Sequence, residues 1–459
     1  MIRFRYILSI ICIAMLTTSC VVTRAIRYGN ASIDDHRAFD QEVVSNGDDR
    51  FRFAELPMSE HTLDTMKFVW PYYGKGEMQQ HTIDEVIRSA VDNAALIIIH
   101  RDTILYERYF GEWNIDTQSQ IFSVTKSITS MLCGVALNEG YIHSLDDSVT
   151  DYIPELKDAD PTFSRLKIKH LLDMTAGLDF DENYALNPFS KMAKLYMGGN
   201  SMRIIENTKF SHKPGERYHY NSLTTAILGI VIERATGVPY AEYLSQKVWQ
   251  PLGMEQSATI GIDDRRHRVA KSYAGLVTNV RDLAKIGRLY INDGNWNNTQ
   301  IIDSSFVHTS LSPRIVGEKS ANMYSYSWYW GTQDESLSRR DFASKEEMQD
   351  YYAEHRDVSK INSWKREGGG YTAVEYMKRR YFPNRESLQN YYKDDVHTIM
   401  QSRNGYFAIK YQGGHYAFGV NGQILYINPE KEFIGVYLGE DDCNVKHLFE
   451  QICEIIENK

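Results

Sequence analysis

Two apolar hairpins, one toward each end of the chain, constrain its fold more than any other feature. Leu96-Ile97-Ile98-Ile99, a turn at Arg101-Asp102 and the run Ile104 to Tyr109 read as the first. Gln423 to Ile427, a turn at Asn428-Pro429-Glu430-Lys431 and Phe433 to Leu438 read as the second. Between them the apolar spacing is helical over 123–140, 166–174, 223–235 and 280–291, with Gly140, Gly237 and the run Asn292-Asp293-Gly294 as stops. A terminal helix follows over 445–456. Strands at both ends with helices between them predict an α/β (α+β) chain. Its antiparallel β-sheet, built from both ends and flanked by helices, carries an inserted all-helical domain. The expected boundaries are 63–122 and 270–459 for the sheet domain and 123–269 for the helical domain.

A charged, tyrosine-rich segment from about 334 to 411 interrupts the expected late strands, 324–330 and 417–426. It is too long for a loop without structure of its own, so a partly helical insertion is expected. It reads equally as a lid over a site and as a surface for a partner.

The N-terminus reads as a targeting segment. Arg3 and Arg5 precede an apolar stretch, Tyr6 to Leu16, too short to span a membrane comfortably. Leu16-Thr17-Thr18-Ser19-Cys20 resembles a bacterial lipoprotein signal, in which Cys20 is lipidated and becomes the first mature residue. An ordinary secretory signal and an uncleaved anchor are the alternatives, and all three put the folded part outside the cytoplasm. On the lipoprotein reading, 1–20 is the signal, 21–62 an irregular tether, and the protein a periplasmic or outer-membrane lipoprotein held to the membrane by its lipid. Oligomeric state is left open.

Chemistry concentrates at Phe122-Ser123-Val124-Thr125-Lys126. Residues three apart on a helix share a face, so the Ser123 hydroxyl and the Lys126 amine can meet. Val124, Ile128, Met131, Leu132 and Val135 give this helix a buried face, and burial lowers a lysine pKa until its neutral amine can accept a serine proton. Ser-x-x-Lys alone is weak, because Ser164-Arg165-Leu166-Lys167 repeats it without a long apolar helix behind. A Ser–Lys pair also needs a proton relay and an oxyanion site. Tyr220, on the turn Pro214 to Ser222 before an apolar helix, suits the relay, and a nearby ammonium is expected to lower its pKa. Gly419-Val420-Asn421-Gly422 opens the late hairpin and suits an edge strand whose N–H groups face a substrate carbonyl. Ser320-Ala321-Asn322 reads as a chance match to a Ser-x-Asn element.

The remaining composition excludes more than it proposes. The net charge of −9 is dispersed and no basic run occurs, which speaks against nucleic-acid binding. No Cys-x-x-Cys or His-Glu-x-x-His spacing supports a metal site, and no cofactor is implied. Cys133 reads as a core residue, and Cys443 and Cys453 could pair. Gly-x-Ser-x-Gly is absent, which excludes the α/β-hydrolase elbow.

Phe122 to Ile128, Leu145-Asp146-Asp147-Ser148-Val149, His170 to Leu178, Pro214 to Tyr220 and Leu228 to Gly237 together resemble the serine β-lactamase and penicillin-binding-protein superfamily, in its class C-like branch. The resemblance implies a sandwich of an antiparallel sheet and a helical domain with the site between them. It makes Ser123 the acylated nucleophile, Lys126 its base partner and Tyr220 the relay. Two departures point to the 6-aminohexanoate-dimer hydrolase group, which cleaves linear amides and small esters. Ser222 stands where many members have the Asn of Tyr-x-Asn, and Gly419-Val420 replaces Lys-Thr-Gly. The N–H groups of Ser123 and Val420 would then form the oxyanion hole, with Tyr184, Ser222 and Asn421 on the substrate side. The expected function is an exported serine hydrolase acting on a small amide or ester. A β-lactamase or D,D-peptidase and a non-catalytic binding protein on the same scaffold are the alternatives.

Overall fold

Strands that must be covered on both faces read as unbroken apolar runs, and the centre of the sheet consists of such strands. In the computed structural model the described residues are 31–60, 62–69, 80–183, 187, 189–312, 324–333, 337–354, 358–365, 369–377, 383–392, 398–402, 405–443 and 445–456. The main sheet contains β1 (Ala94–His100), β2 (Thr103–Phe110), β3 (Tyr324–Ser325), β4 (Trp328–Gln333), β5 (Gly405–Phe418), β6 (Ile424–Asn428) and β7 (Phe433–Gly439). Its order is β3-β4-β5-β6-β7-β1-β2, antiparallel throughout, with Ala54–Glu55 added in parallel beyond β2. The first and last hairpins meet where Tyr437 pairs with Leu96 and Ile434 with Ile99. The sheet therefore closes the chain on itself, and every residue of β7 is buried.

Helices cover both faces. The four long ones are α1 (Val124–Asn138), α2 (Ser222–Thr236), α3 (Val280–Ile291) and α4 (Val445–Ile456). α3 packs on one face, with Gly287 against Ile427 and Ile434. α4 and Ile83–Ala90 pack on the other through Phe449, Ile452 and Ile87. α1 and α2 pack against each other in the core that also receives α3, and their shared apolar surface forms the helical layer.

Three expectations change. The 324–330 strand is a hairpin, because Tyr326 and Ser327 adopt left-handed φ values of 43° and 68°, the mirror-image turn that joins twisted strands. The 417–426 strand is likewise broken: β5 ends at Phe418 and β6 starts at Ile424, so Gly419 to Gln423 is a turn between interior strands and not part of an edge strand. Residues 31–62 are not an irregular tether. Gln41–Val44 pairs antiparallel with Ala258–Gly261, and Ile33, Phe39, Val44 and Phe53 are buried in the main core.

The insertion is richer in strand than expected. Leu337–Phe342, Tyr371–Met377 and Val358–Lys365 form a three-stranded sheet in that order, with helices Lys345–Glu354 and Arg385–Tyr392. Thr398–Ser402 pairs with the first half of β5, whose other end reaches Gly419. A bulge lies midway along β5, where the pairing steps from Trp330–His415 to Thr332–Tyr411. The signal segment with Cys20, the residue Tyr184 and the Ser320-Ala321-Asn322 match lie outside the described residues. Cys133, Cys443 and Cys453 are free thiols, so the 443–453 pairing does not form. Among the described residues no helix is long and apolar enough to cross a membrane.

Candidate active site

Ser123 sits where a short strand, Ser119–Gln120, turns into α1. The turn is forced through Phe122, whose φ of 44° is unusual for an aromatic residue and whose ring is buried in compensation. A serine at a helix start ordinarily spends its hydroxyl on the second or third N–H of the helix. Ser123 makes no such cap, so its hydroxyl is left for other partners.

One of those partners is Lys126, one turn on. Its Nζ donates to Ser123 Oγ at 2.9 Å and to the Tyr273 carbonyl at 2.9 Å. Lys126 is 1% exposed, and burial brings its ammonium from the usual 10.5 down to about 8, with the charge of Glu182 pulling the other way. The pair is held from behind. Thr129 Oγ1 donates to Ser272 O at 2.6 Å, and Ser127 Oγ donates to Ser327 O at 2.6 Å, tying α1 to the β3–β4 turn.

Tyr220 reaches the same hydroxyl. Its segment is fixed by His219 N donating to Met174 O and Gly215 N to Thr175 O, both at 2.8 Å. The next residue, Asn221, caps α2 by accepting from Thr224 N at 3.0 Å. Ser123 hydrogen-bonds Tyr220 in the sense that lowers the phenol's pKa, as a hydroxyl donating to the phenol oxygen does. The net shift is nevertheless upward, because burial dominates and Glu182 adds to it. The expected lowering by Lys126 does not occur: the Nζ lies over the face of the Tyr220 ring, 5.0 Å from its centroid. Tyr220 is therefore a protonated phenol and Lys126 the more readily deprotonated of the two.

Gly419 completes the constellation. A Cβ at this position would lie 2.5 Å from the Ile121 carbonyl and 3.2 Å from Ser123 N. Only glycine lets the β5–β6 turn come this close to the start of α1. The positive end of the helix favours an oxyanion there.

Two sequence-expected substrate residues have partners inside the protein. Ser222 N and Oγ donate to the two carboxylate oxygens of Glu182 at 2.8 and 2.5 Å. Ser222 is the first residue of α2, so the carboxylate occupies a helix N-terminus, where a negative charge is favoured. Asn421 stands in the left-handed region (φ 60°, ψ 26°) and donates through Nδ2 to the Ala31 carbonyl at 3.2 Å. Both side chains are thus engaged by partners within the protein.

Sequence reasoning missed Glu182, although a serine in place of the Asn of Tyr-x-Asn leaves room for an acceptor. It also missed the aromatic wall beside the relay. Tyr324 meets Tyr218 edge-on at 5.6 Å and Tyr220 at 5.9 Å, and Tyr329 at 4.8 Å. Tyr218 and Tyr220, two apart on one extended segment, were the available signal. Among the described residues no group of three or more His, Cys, Asp or Glu is placed to hold a metal ion.

Comparisons with known proteins give a family and a fold. A profile of the Beta-lactamase family matches residues 80–440. A 6-aminohexanoate-dimer hydrolase of Paenarthrobacter ureafaciens is 26% identical over 229 residues, 48% of this chain and 57% of the relative. Protein flp of Staphylococcus aureus (strain COL) is 23% identical over 285 residues, 54% of this chain and 56% of the relative. The chain thus spans little more than half the length of these curated relatives. Among solved structures, a Bacillus anthracis protein bearing the provisional name 6-aminohexanoate-dimer hydrolase superposes with a TM-score of 0.63 at 20% identity, covering 91% of this chain and 90% of that one. A class C beta-lactamase in complex with cefoxitin gives 0.51 at 13% identity, covering 81% and 97%. At these identities the structural likeness speaks for the fold.

Proposed function

The chain belongs to the beta-lactamase family, and from that premise we propose that it hydrolyses a small amide or ester through an acyl-enzyme on Ser123. The observation that carries the reading is the Ser123 hydroxyl, released from helix capping and held at 2.9 Å from a buried lysine. In its neutral form Lys126 takes the Ser123 proton as Oγ attacks the carbonyl carbon. The N–H groups of Ser123 and Val420 receive the developing oxyanion. Tyr220, a protonated phenol hydrogen-bonded to Ser123, delivers its proton to the departing amine or alcohol, and the phenolate left behind takes up the proton that Lys126 removed from Ser123. Water then repeats the sequence on the acyl group. The residues themselves supply each proton and each donor that the sequence of steps requires.

Open-chain substrates fit better than β-lactam rings. Binding a ring carboxylate calls for a fixed cation beside the oxyanion strand, and the residues ahead of Val420 are Ala417, Phe418 and Gly419. The test is a p-nitrophenyl ester, a dipeptide amide and nitrocefin offered to the wild type and to Ser123→Ala. Hydrolysis of the ester or amide that disappears in the variant supports the reading. Nitrocefin turnover faster than ester turnover replaces it with a β-lactamase. An ester activity that survives Ser123→Ala overturns it. Export with a lipid on Cys20 belongs to the same proposal, supported by the Leu16 to Cys20 signal pattern. A Cys20→Ala variant that stays in the membrane fraction would count against it.

A further inference from the structure

We propose that residues 31–39 are a strap that positions the oxyanion turn, which makes the N-terminal segment part of the catalytic apparatus and not a leash. The strap touches the supports of the site at two places. At one, Asn421 Nδ2 donates to Ala31 O at 3.2 Å. Asn421 directly follows Val420, and its left-handed conformation, disfavoured for a residue with a Cβ, is offset by this bond. The Ala31 carbonyl therefore holds the turn that presents the Val420 amide.

At the other place the strap enters the core. Asp35 is 1% exposed, and its Oδ2 accepts from the Tyr196 hydroxyl at 3.0 Å. That hydroxyl in turn accepts from Gln120 Nε2 at 2.8 Å, and Gln120 also donates to Ala274 O at 3.0 Å. Gln120 lies in the strand that delivers Ser123, and Ala274 follows Tyr273, whose carbonyl accepts from Lys126. Phe39 seals the same spot, edge-on to Tyr196 at 5.1 Å and 4.6 Å from the Lys271 ammonium. Lys271 Nζ donates to the Tyr196 carbonyl at 2.7 Å. Beyond Phe39, Gln41–Val44 is locked into a sheet with Ala258–Gly261. A segment fixed by a strand at one end and by a buried carboxyl in the middle leaves its remaining contact, the Ala31 carbonyl, in a fixed place. Asp35 and Asn421 are positioning residues in this scheme, acting on the reaction only through Val420 and Ser123.

The activity arm of the test rests on the serine-hydrolase reading; the exchange arm does not. Full-length Asp35→Ala, Asp35→Asn, Asn421→Gly and the Asp35→Ala/Asn421→Gly double variant are compared with wild type by amide hydrogen exchange and by the rate at which a fluorophosphonate labels Ser123. Asn421→Gly keeps the left-handed turn and removes only the amide. Asp35→Ala should speed exchange across 419–423 about tenfold and slow labelling about 5–10-fold, the loss of one orienting hydrogen bond. Asp35→Asn, which keeps an acceptor for Tyr196, should restore both. The double variant should be no worse than Asn421→Gly, because both act through one contact. Unchanged exchange at 419–423 in Asp35→Ala, or additive losses in the double variant, overturns the strap. If Asp35→Ala does not fold, Asn421→Gly decides: faster exchange over 31–39 supports the strap, and unchanged exchange there overturns it. A wild type that the probe does not label overturns the hydrolase reading, while the exchange results still decide the strap.

Discussion

The assignment of Lys126 as the base makes a quantitative claim about pH, and Glu182→Gln sharpens it. Burial lowers Lys126 from 10.5 to about 8. A shift of that size makes the neutral amine about 300-fold more abundant at pH 7 than it would be on an exposed lysine, raising it to about a tenth of the molecules. The base must be deprotonated in the free enzyme, so kcat/KM for a p-nitrophenyl ester should rise about tenfold per pH unit up to about pH 8 and then level off. Glu182 stabilises the ammonium, so its charge raises the Lys126 pKa. Removing that charge should move the midpoint to lower pH and increase activity on the acid side. Glutamine keeps an oxygen for Ser222 N and an amide for Ser222 Oγ, so the fold of the α2 terminus is preserved. The assay is stopped-flow or steady-state hydrolysis from pH 5.5 to 9.5 for both proteins, with circular dichroism at each pH. A profile that shows no break near pH 8 and is still rising at pH 9.5 would refute the lysine assignment and move the base role to Tyr220.

Three further perturbations bear on separate parts of the site. Tyr220→Phe should lower kcat about 10²–10⁴-fold with little change in melting temperature, because it removes the relay proton and leaves the ring packed on Tyr324; near-normal amide hydrolysis would argue against the relay. Gly419→Ala puts a methyl 2.5 Å from Ile121 O, so the turn must retreat from Ser123; about a 100-fold loss in kcat, the usual size for one displaced oxyanion donor, is expected in ester assays. Asp35 is held up at about 6, against an ordinary 3.8, by burial. Its protonated form is the one the fold prefers, so its contribution to stability is fully present below about pH 4 and is lost as pH rises through 6. Asp35→Asn removes that dependence and should gain stability by about 3 kcal/mol at most at pH 8, with no gain at pH 4, in urea titrations; a less stable Asp35→Asn at pH 8 contradicts the assignment.

The sequence by itself determined the parts of this protein that are local. Hydrophobic periodicity located β1, β2, β7 and the long helices within a residue or two, because short apolar runs bounded by turns and long apolar stretches ended by glycine leave distinct patterns. Ser123 and Lys126 were legible for the same reason: their relation is a helical repeat, fixed by three positions of chain. Tyr220 and Gly419 could be placed in order but not in space. What only the tertiary structure decided is everything that depends on residues far apart meeting. Glu182 joins Ser222 across forty positions, and Ala31 joins Asn421 across 390. Those meetings give two expected substrate contacts partners inside the protein and turn a supposed tether into a docked segment. The direction of the Tyr220 shift was decided there too. A sequence says that a lysine is near a tyrosine; only the packed structure sets the ammonium over the ring face and buries the phenol, so that burial governs its proton.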